Sequence, residues 1–404
     1  MNPRVLFLDH VGVLSGAELS LLDIARHRAD SSKVLLFADG PFRERLQQDG
    51  VAVEVLPASR TVSGVSRAGN GTHDLLAVPG VSKLAWRVAQ LARGYDVLYA
   101  NSQKAIAVGA LASKLASKPV IWHLRDMLTA DHFSRAHRGL GVALANRIVA
   151  RVIANSRATA AAVVESGGRA ERVRVVYNGI DPGPFAAVGP TEVDALRKEL
   201  DLIGIPVVGA FGRLAPWKGQ HVLLEALVRL PEVHALLVGE ALFGENAYVG
   251  ALHEQARALG VANRVHFLGF RQDVPQLMRL SDVVVHTSIA PEPFGRVIVE
   301  GMLTRKPVVA TRAGGATEII EDGVSGVLVP PGDVRILAGV LTNLLEENSR
   351  SRALAEAGYA AASERFSLQA MLEGVEQQIQ EVAARWQYRT SHFYPLKKWP
   401  CKGG

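Results

Sequence analysis

Two carboxylates, two cations and one histidine stand out by type and spacing. Glu292 and Glu300 lie eight positions apart in the segment Ser288–Met302, SIAPEPFGRVIVEGM. Pro291 and Pro293 break any helix there and stiffen the turn that carries Glu292. From Gly295 onward Val297, Ile298 and Met302 recur at helical spacing, so a helix begins near Gly295 or Arg296 and Glu300 falls two turns into it. The two carboxylates then face one ligand from different sides. Between them lies a helix N-terminus, whose unpaired N–H groups and partial positive charge suit a phosphate. In Phe211–Gln220, FGRLAPWKGQ, Arg213 and Lys218 follow a glycine on a turn after a strand. A planar fork and a point charge together suit a diphosphate. His123 ends a strand in Val120–Asp126, VIWHLRD, with Arg125 and Asp126 beside it, at the edge where open α/β sheets bind ligands. Taken singly, each has an ordinary reading as well: a surface glutamate, a charged loop, a core histidine.

Those residues need strands that end in loops on one edge. Apolar runs at Val5–Leu8, Val34–Phe37, Val53–Leu56, Val97–Ala100, Val120–Trp122 and Arg151–Ala154 read as buried strands. Helical patterns over Glu18–Arg28, Pro41–Gln48, Val81–Ala92, Lys104–Leu115, Arg138–Ile148 and Ala158–Ser166 alternate with them. The patternless stretch Ser59–Gly80 is expected to be a mobile loop. Gly and Pro cluster in Asn178–Pro190, which reads as a linker, and alternation restarts at Val207–Phe211 and continues to the strand Val327–Val329. Helical stretches at Ser351–Arg365 and Leu368–Arg385 follow. The fold class is therefore α/β, with two Rossmann-like, doubly wound parallel sheets. The expected domains are 1–180 and 181–365, then a helix over 366–385 and a basic, aromatic tail over 386–404. That tail is read either as a disordered end or as a segment docked on the first domain or on an anionic surface.

Two further loops present glycine before a helix. Val13–Ser20 places Gly16 where backbone could approach a phosphate, with the Ser15 and Ser20 hydroxyls nearby. Ala313–Glu318 is a Gly-Gly junction of the same kind.

Composition narrows the function classes. A chain of 404 residues, 48% apolar and 21% charged, has ordinary soluble composition and enough length for two cores. No apolar run reaches bilayer length, and Val5–Leu8, followed at once by Asp9 and His10, reads as a first strand and not a signal peptide. A single cysteine, Cys401, excludes an intrachain disulfide and a cysteine-rich zinc site, and fits a cytoplasmic location. The net charge of +6 suits anionic partners, but no nucleic-acid module is present and none is expected to bind. There is no GxGxxG after the first strand, no GxxxxGK[ST], no HExxH and no DxD pair, so dinucleotide oxidoreductases and P-loop enzymes lose support and no metal site is expected.

In order along the chain, SGAE at Ser15–Glu18, WHLRD at Trp122–Asp126, ANS at Ala154–Ser156 and VVYNGID at Val175–Asp181 are followed by FGRLAPWKG at Phe211–Gly219. LGF at Leu268–Phe270, EPFG with a second Glu at Glu292–Glu300, and GGATE at Gly314–Glu318 complete the set. Together these resemble the family 4 retaining glycosyltransferases (glycosyltransferase group 1), over nearly all the chain to about Arg385. The resemblance implies the GT-B fold, two Rossmann-like domains facing each other across a cleft, the first on the acceptor side and the second binding the nucleotide sugar. It implies that the helix over 366–385 crosses back to the first domain. It also implies roles: Arg213, Lys218, Gly16, Gly295 and Val297 at the donor diphosphate, and Glu300 on the ribose. Leu268, Phe270 and Arg271 would lie near the base, Glu292, Phe294 and Gly295 at the donor sugar, and His123 beside the transferred sugar and the attacking hydroxyl. One departure is Ser15, where the family usually has glycine, which makes that loop less free.

The implied reaction is metal-independent, retaining transfer from a UDP- or GDP-linked sugar, with no cofactor. The expected acceptor is a saccharide, a lipid-linked group or a small molecule, and the basic, amphipathic segment Thr129–Arg151 favours a cell-envelope polysaccharide or glycolipid with peripheral contact to anionic membrane. A soluble secondary metabolite, or a nucleotide-sugar epimerase or hydrolase on the same fold, are the alternatives. A non-catalytic scaffold is disfavoured by the presence of Arg213, Lys218, Glu292 and Glu300 together.

Overall fold

The structure, a computed structural model, describes residues 2–59, 72–242 and 244–393. The chain divides into two compact units. The first comprises 1–155, 159–176 and the chain from 372 onward, and the second comprises 156–158 and 177–371.

The first unit is built on a seven-stranded sheet: β1 (Val5–Asp9), β2 (Ser32–Leu36), β3 (Val53–Val55), β4 (Val97–Ala100), β5 (Val120–Leu124), β6 (Arg151–Ala154) and β7 (Val173–Val175). Its order is β3-β2-β1-β4-β5-β6-β7, with every pairing parallel. Helices cover both faces, so the central strands are buried along their whole length and read as continuous apolar runs without alternation. The second unit holds six parallel strands: β8 (Val207–Phe211), β9 (His234–Val238), β10 (Val265–Gly269), β11 (Val283–His286), β12 (Val308–Thr311) and β13 (Val327–Val329). Their order is β10-β9-β8-β11-β12-β13.

Both sheets reverse their strand order at one place, between β1 and β4 in the first and between β8 and β11 in the second. Connections leave toward opposite faces there, and a crevice opens at the carboxyl ends of the strands. The candidate residues lie at these ends, in the last strand residues, the loops and the helices that follow.

Some expected boundaries were wrong for identifiable reasons. The stretch Ser59–Gly80 is not a loop throughout: a helix spans Thr72–Ala92 with Pro79 inside it, while residues 60–71 lie outside the described residues. A proline inside a helix costs roughly 3 kcal/mol. Burial of Leu84, Ala85, Val88 and Ala92 on the same helix supplies the compensating packing. The expected linker contains one helical turn, Gly183–Ala186, and Pro190 opens a helix that runs to Glu199. Proline is well placed there, because the first helical N–H has no partner in any case.

The last helix spans Leu368–Phe393, so Trp386 onward is helical to Phe393, with the Trp386 indole donating to the Ser117 carbonyl at 3.3 Å. Two buried arginines of the first unit fasten it: Arg28 to Glu376, and Arg151 to Glu381 at 2.9 Å. The remainder of the tail, 394–404, lies outside the described residues. Among the described residues, no helix is long and apolar enough to cross a membrane.

Candidate active site

At the crevice of the second sheet, the loops after β8 and β11 are locked to each other. Ile289 N donates to Trp217 O at 2.9 Å, and Thr287 Oγ1 donates to Lys218 O at 3.1 Å. Between them sits Gly219, at φ +69°, where an added Cβ would lie 2.1 Å from Thr287 O. Only glycine fits that left-handed turn at that approach.

This scaffold brings Lys218 and Glu292 into a direct ion pair, and Glu292 is 5% exposed. His286 Nε2 lies 3.2 Å, and the Ser288 hydroxyl 3.1 Å, from the same carboxylate oxygen, Oε1. Oε2 has no hydrogen-bond partner among the described residues. Burial opposes the charge on Glu292, but the Lys218 ammonium, and then His286, outweigh it and hold the carboxyl well below the usual range. The result is a fixed carboxylate with one oxygen committed to the protein. The Trp217 ring lies under both cations, 4.4 Å from Lys218 Nζ and 5.4 Å from Arg213 Cζ. Arg213 also pairs with Glu245 at 3.2 Å.

The helix after the turn spans Arg296–Leu303, with Gly295 as its N-cap. Glu300 is half-buried and paired with Arg296 at 3.3 Å. Val297 Cγ1 lies 3.8 Å from where a Cβ on Gly212 would sit, which places it at the end of β8. The Phe294 ring is core: the residue is 2% exposed, and the ring meets the Phe366 ring edge-on at 5.5 Å. Leu268 packs against the core, whereas Phe270 is 57% exposed. Arg271 is engaged by Asp273 through two contacts of 2.8 and 2.6 Å.

The reading of the second glycine loop is narrowed by the structure. At the Gly314-Gly315 junction one N–H of the expected set is taken by the protein: Gly315 N donates to Glu292 O at 2.8 Å, so the junction braces the Glu292 turn. The helix it opens is a single turn, Ala316–Ile319. Glu318 of the same motif accepts from Arg157 N, Ala158 N and the Tyr177 hydroxyl at 2.7–2.9 Å.

At the crevice of the first sheet, Asp9 ends β1 and Asn101 follows β4, and Asn101 Nδ2 donates to Asp9 Oδ2 at 2.6 Å. Arg125 donates to Asn101 Oδ1 at 2.6 Å, and its guanidinium lies 3.2 Å from His123 Nδ1. His123 is fully buried. Gly16 is exposed at the start of the helix Gly16–His27, but the neighbouring hydroxyls are not offered to a ligand. Ser15 bonds the Glu18 carboxyl, and buried Ser20 donates to Gly16 O at 3.2 Å. Sequence reasoning passed over Asp9, Tyr99 and Asn101, and gave Glu18 no role. Two of these polar residues flank the strands of the order reversal, a signal that becomes legible only with the strand order.

Glu18 is 3% exposed. Burial, and then the Asp9 charge, push its carboxyl from an ordinary 4.5 up to about 8, against smaller opposing effects of Ser15 and Arg125. The folded state thus keeps a proton that the unfolded state releases. Stability from this group is full below 4.5 and is lost as pH rises through about 8. The melting temperature is expected to fall between about pH 5 and pH 8.5, and Glu18→Gln to flatten that fall. Parallel melting curves for wild type and variant in scanning calorimetry would refute it.

Residues 15–179 match the model of the glycosyl transferase 4-like domain, and residues 194–361 match that of glycosyl transferases group 1. A D-inositol 3-phosphate glycosyltransferase from Xylanimonas cellulosilytica is 31% identical over 287 residues, 67% of this chain and 68% of that protein. The chain belongs to the group 1 glycosyltransferases. Among other relatives of this glycosyltransferase is the lipopolysaccharide core biosynthesis glycosyltransferase LpsE of Rhizobium meliloti, 33% identical over 222 residues. That match covers 55% of this chain and 62% of LpsE, so the chain spans about three fifths of that relative's length. The crystal structure of Anabaena Alr3699/HepE in complex with UDP-glucose is 45% identical, with a TM-score of 0.87 over 94% of this chain and all of that one. WaaG, a glycosyltransferase involved in lipopolysaccharide biosynthesis, shares the GT-B fold at 18% identity and a TM-score of 0.71.

Proposed function

We propose that this glycosyltransferase moves a sugar from a UDP-linked donor to an acceptor hydroxyl, with retention at the anomeric carbon and without a metal ion. The observation that carries the reading is the Lys218–Glu292 pair at the crevice of the second sheet, beside Arg213 and a helix start. Arg213, Lys218 and the positive end of the helix that starts at Arg296 are suited to offset the charge of a departing diphosphate. Gly16 and Val297 are assigned to the diphosphate and ribose-phosphate as well. Glu300 would take the ribose hydroxyls, and the Leu268–Arg271 segment the base, with the exposed Phe270 ring available for stacking. Glu292 Oε2 would accept from a donor-sugar hydroxyl, with the backbone at Phe294 and Gly295 alongside. UDP is favoured over GDP because HepE, at 45% identity, is seen with UDP-glucose.

In the proposed step the bond between the anomeric carbon and the diphosphate oxygen breaks. The acceptor oxygen bonds to the same face of that carbon, and its proton passes to the departing phosphate. For the acceptor we favour a cell-envelope saccharide or glycolipid, in line with the resemblance to LpsE. The helix Arg135–Arg147 carries Arg135, Leu140 and Arg147 exposed, a combination suited to anionic headgroups at the cytoplasmic face of a membrane.

A thermal-shift panel of nucleoside diphosphates and their sugars tests the donor, with UDP and a UDP-sugar expected to stabilise and GDP not. Transfer is expected to proceed unchanged in EDTA. Activity that vanishes with EDTA and returns with manganese would overturn the metal-free step, and nucleotide release at full rate without acceptor would favour a hydrolase or epimerase.

A further inference from the structure

His123 has one ring nitrogen facing two hydrogen-bond donors and the other without a hydrogen-bond partner among the described residues. Nδ1 lies 2.5 Å from the Tyr99 hydroxyl and 3.2 Å from Arg125 Nη2. Nε2 is buried and has no partner among the described residues. A neutral imidazole has one N–H and one lone pair, and a guanidinium has donors only and does not give up its proton. An N–H on Nδ1 would point at an Arg125 N–H, so Nδ1 must supply the lone pair. Tyr99 is fully buried, and burial raises its phenol above the ordinary range, so it keeps its proton and donates as well. The ring's proton is therefore left on Nε2. Burial, and then the Arg125 charge, hold the imidazole well below its ordinary pKa, which disfavours a second proton.

We propose that Tyr99 and Arg125 hold His123 as its Nε2–H tautomer, so that this histidine is a fixed hydrogen-bond donor to a ligand oxygen and not a proton acceptor. Tyr99 and Arg125 are positioning residues. Arg125 is itself aimed by Asn101 at 2.6 Å, and Asn101 by Asp9 at 2.6 Å, so the chain of contacts begins at the end of β1. Asp9 is further fixed by His10 N at 2.6 Å. A buried donor left without a partner is destabilising, which favours a ligand that brings an oxygen to it. The ligand's identity rests on the transferase reading, in which that oxygen belongs to the donor sugar or the acceptor. A histidine locked in this way cannot take the acceptor's proton, which leaves the departing phosphate to do so. The tautomer itself does not depend on that reading.

The test is long-range proton–nitrogen NMR on the full chain labelled with nitrogen-15 and without ligand. His123 is picked out of the 12 histidines by the signals that vanish in His123→Gln. The expected wild-type pattern is a protonated Nε2 and an unprotonated Nδ1, unchanged between about pH 5.5 and 8.5. In Tyr99→Phe and Arg125→Met the pattern should shift toward mixed tautomers, with kcat lowered about 10–100-fold and donor KM little changed. His123→Gln, which keeps an N–H donor, should retain more turnover than His123→Phe. A protonated Nδ1 in the wild type, titration of the ring within that pH range, or a wild-type tautomer retained in both variants would overturn the proposal. If Arg125→Met does not fold, the wild-type spectrum and Tyr99→Phe still decide it. A wild type with the expected spectrum but no transfer activity would count against the transferase reading alone.

Discussion

Lys218→Ala is expected to lower kcat by about 10²–10³-fold with a UDP-sugar donor, the loss seen when one preorganised electrostatic group is removed. Two consequences of one deletion explain the size. The proposed diphosphate site loses a point charge, and Glu292 loses the partner that holds its buried carboxylate charged. His286 and Ser288 remain on Oε1 as hydrogen-bonding partners, but the ammonium that faced it is gone. Breaking a buried pair from one side costs roughly 3–5 kcal/mol, so the variant should also melt earlier. The two effects separate by substitution. Lys218→Met with Glu292→Gln removes both charges, should recover much of the lost stability and should stay inactive. Lys218→Arg keeps the charge but presents a fork where a point charge sits over Trp217, and should recover activity only in part. Initial rates with saturating donor, read beside melting curves, check all three. Turnover of Lys218→Ala within about tenfold of wild type would remove Lys218 from the proposed chemistry.

The sheets were legible because their strands are buried on both faces. Val97–Ala100 and Val207–Phe211 are apolar without interruption, and for these two the strand limits read from sequence coincide with those observed, while others shift by one or two residues, as Val34–Phe37 against Ser32–Leu36. What failed to show was whatever depends on partners distant in sequence. β7 is only three residues long, VRV, with Arg174 at its centre, and is recognisable only through its pairing with β6. The helix beginning at Thr72 is masked by Pro79-Gly80, which reads as a stop until the packing of Leu84 and Val88 is known. Within the candidate site, Arg213, Lys218, Glu292 and His123 have unusual local patterns and stand out from sequence alone. Their supports do not. Asp9 and Asn101 meet only because β1 and β4 are neighbours, a fact of strand order with no local signature. His286 lay in plain view at the end of β11, but nothing in sequence says that its ring turns toward Glu292.

Gly314→Ala is expected to abolish activity almost as completely as a change at Glu292 itself. Gly314 sits at φ +58°, a left-handed conformation that costs other residues about 1–2 kcal/mol. That cost alone is tolerable. The contact is not: a Cβ there would lie 2.2 Å from Glu292 O and 2.8 Å from Glu292 N. Both are backbone atoms, so no side-chain rotation relieves the clash and the two strands of chain must part. They are joined by a bridge between Glu292 and Gly314 and by the bond from Gly315 N to Glu292 O, so parting them moves the turn that carries the carboxylate. A displacement on the order of 1 Å at a positioned group costs about 10²-fold in rate. Gly332 provides the control. It has φ +75° but nothing within 4 Å of an added Cβ, so Gly332→Ala imposes the conformational cost without the clash. It should lower the melting temperature modestly and leave kcat near wild type. Gly314→Ala should lose at least about a hundredfold in kcat, by far the larger part of which the Gly332 variant does not share. Equal activity losses in the two variants would mean that backbone strain, and not the fit of Gly314 under the Glu292 turn, governs this junction. The Gly-Gly motif would then have no special part in holding the carboxylate.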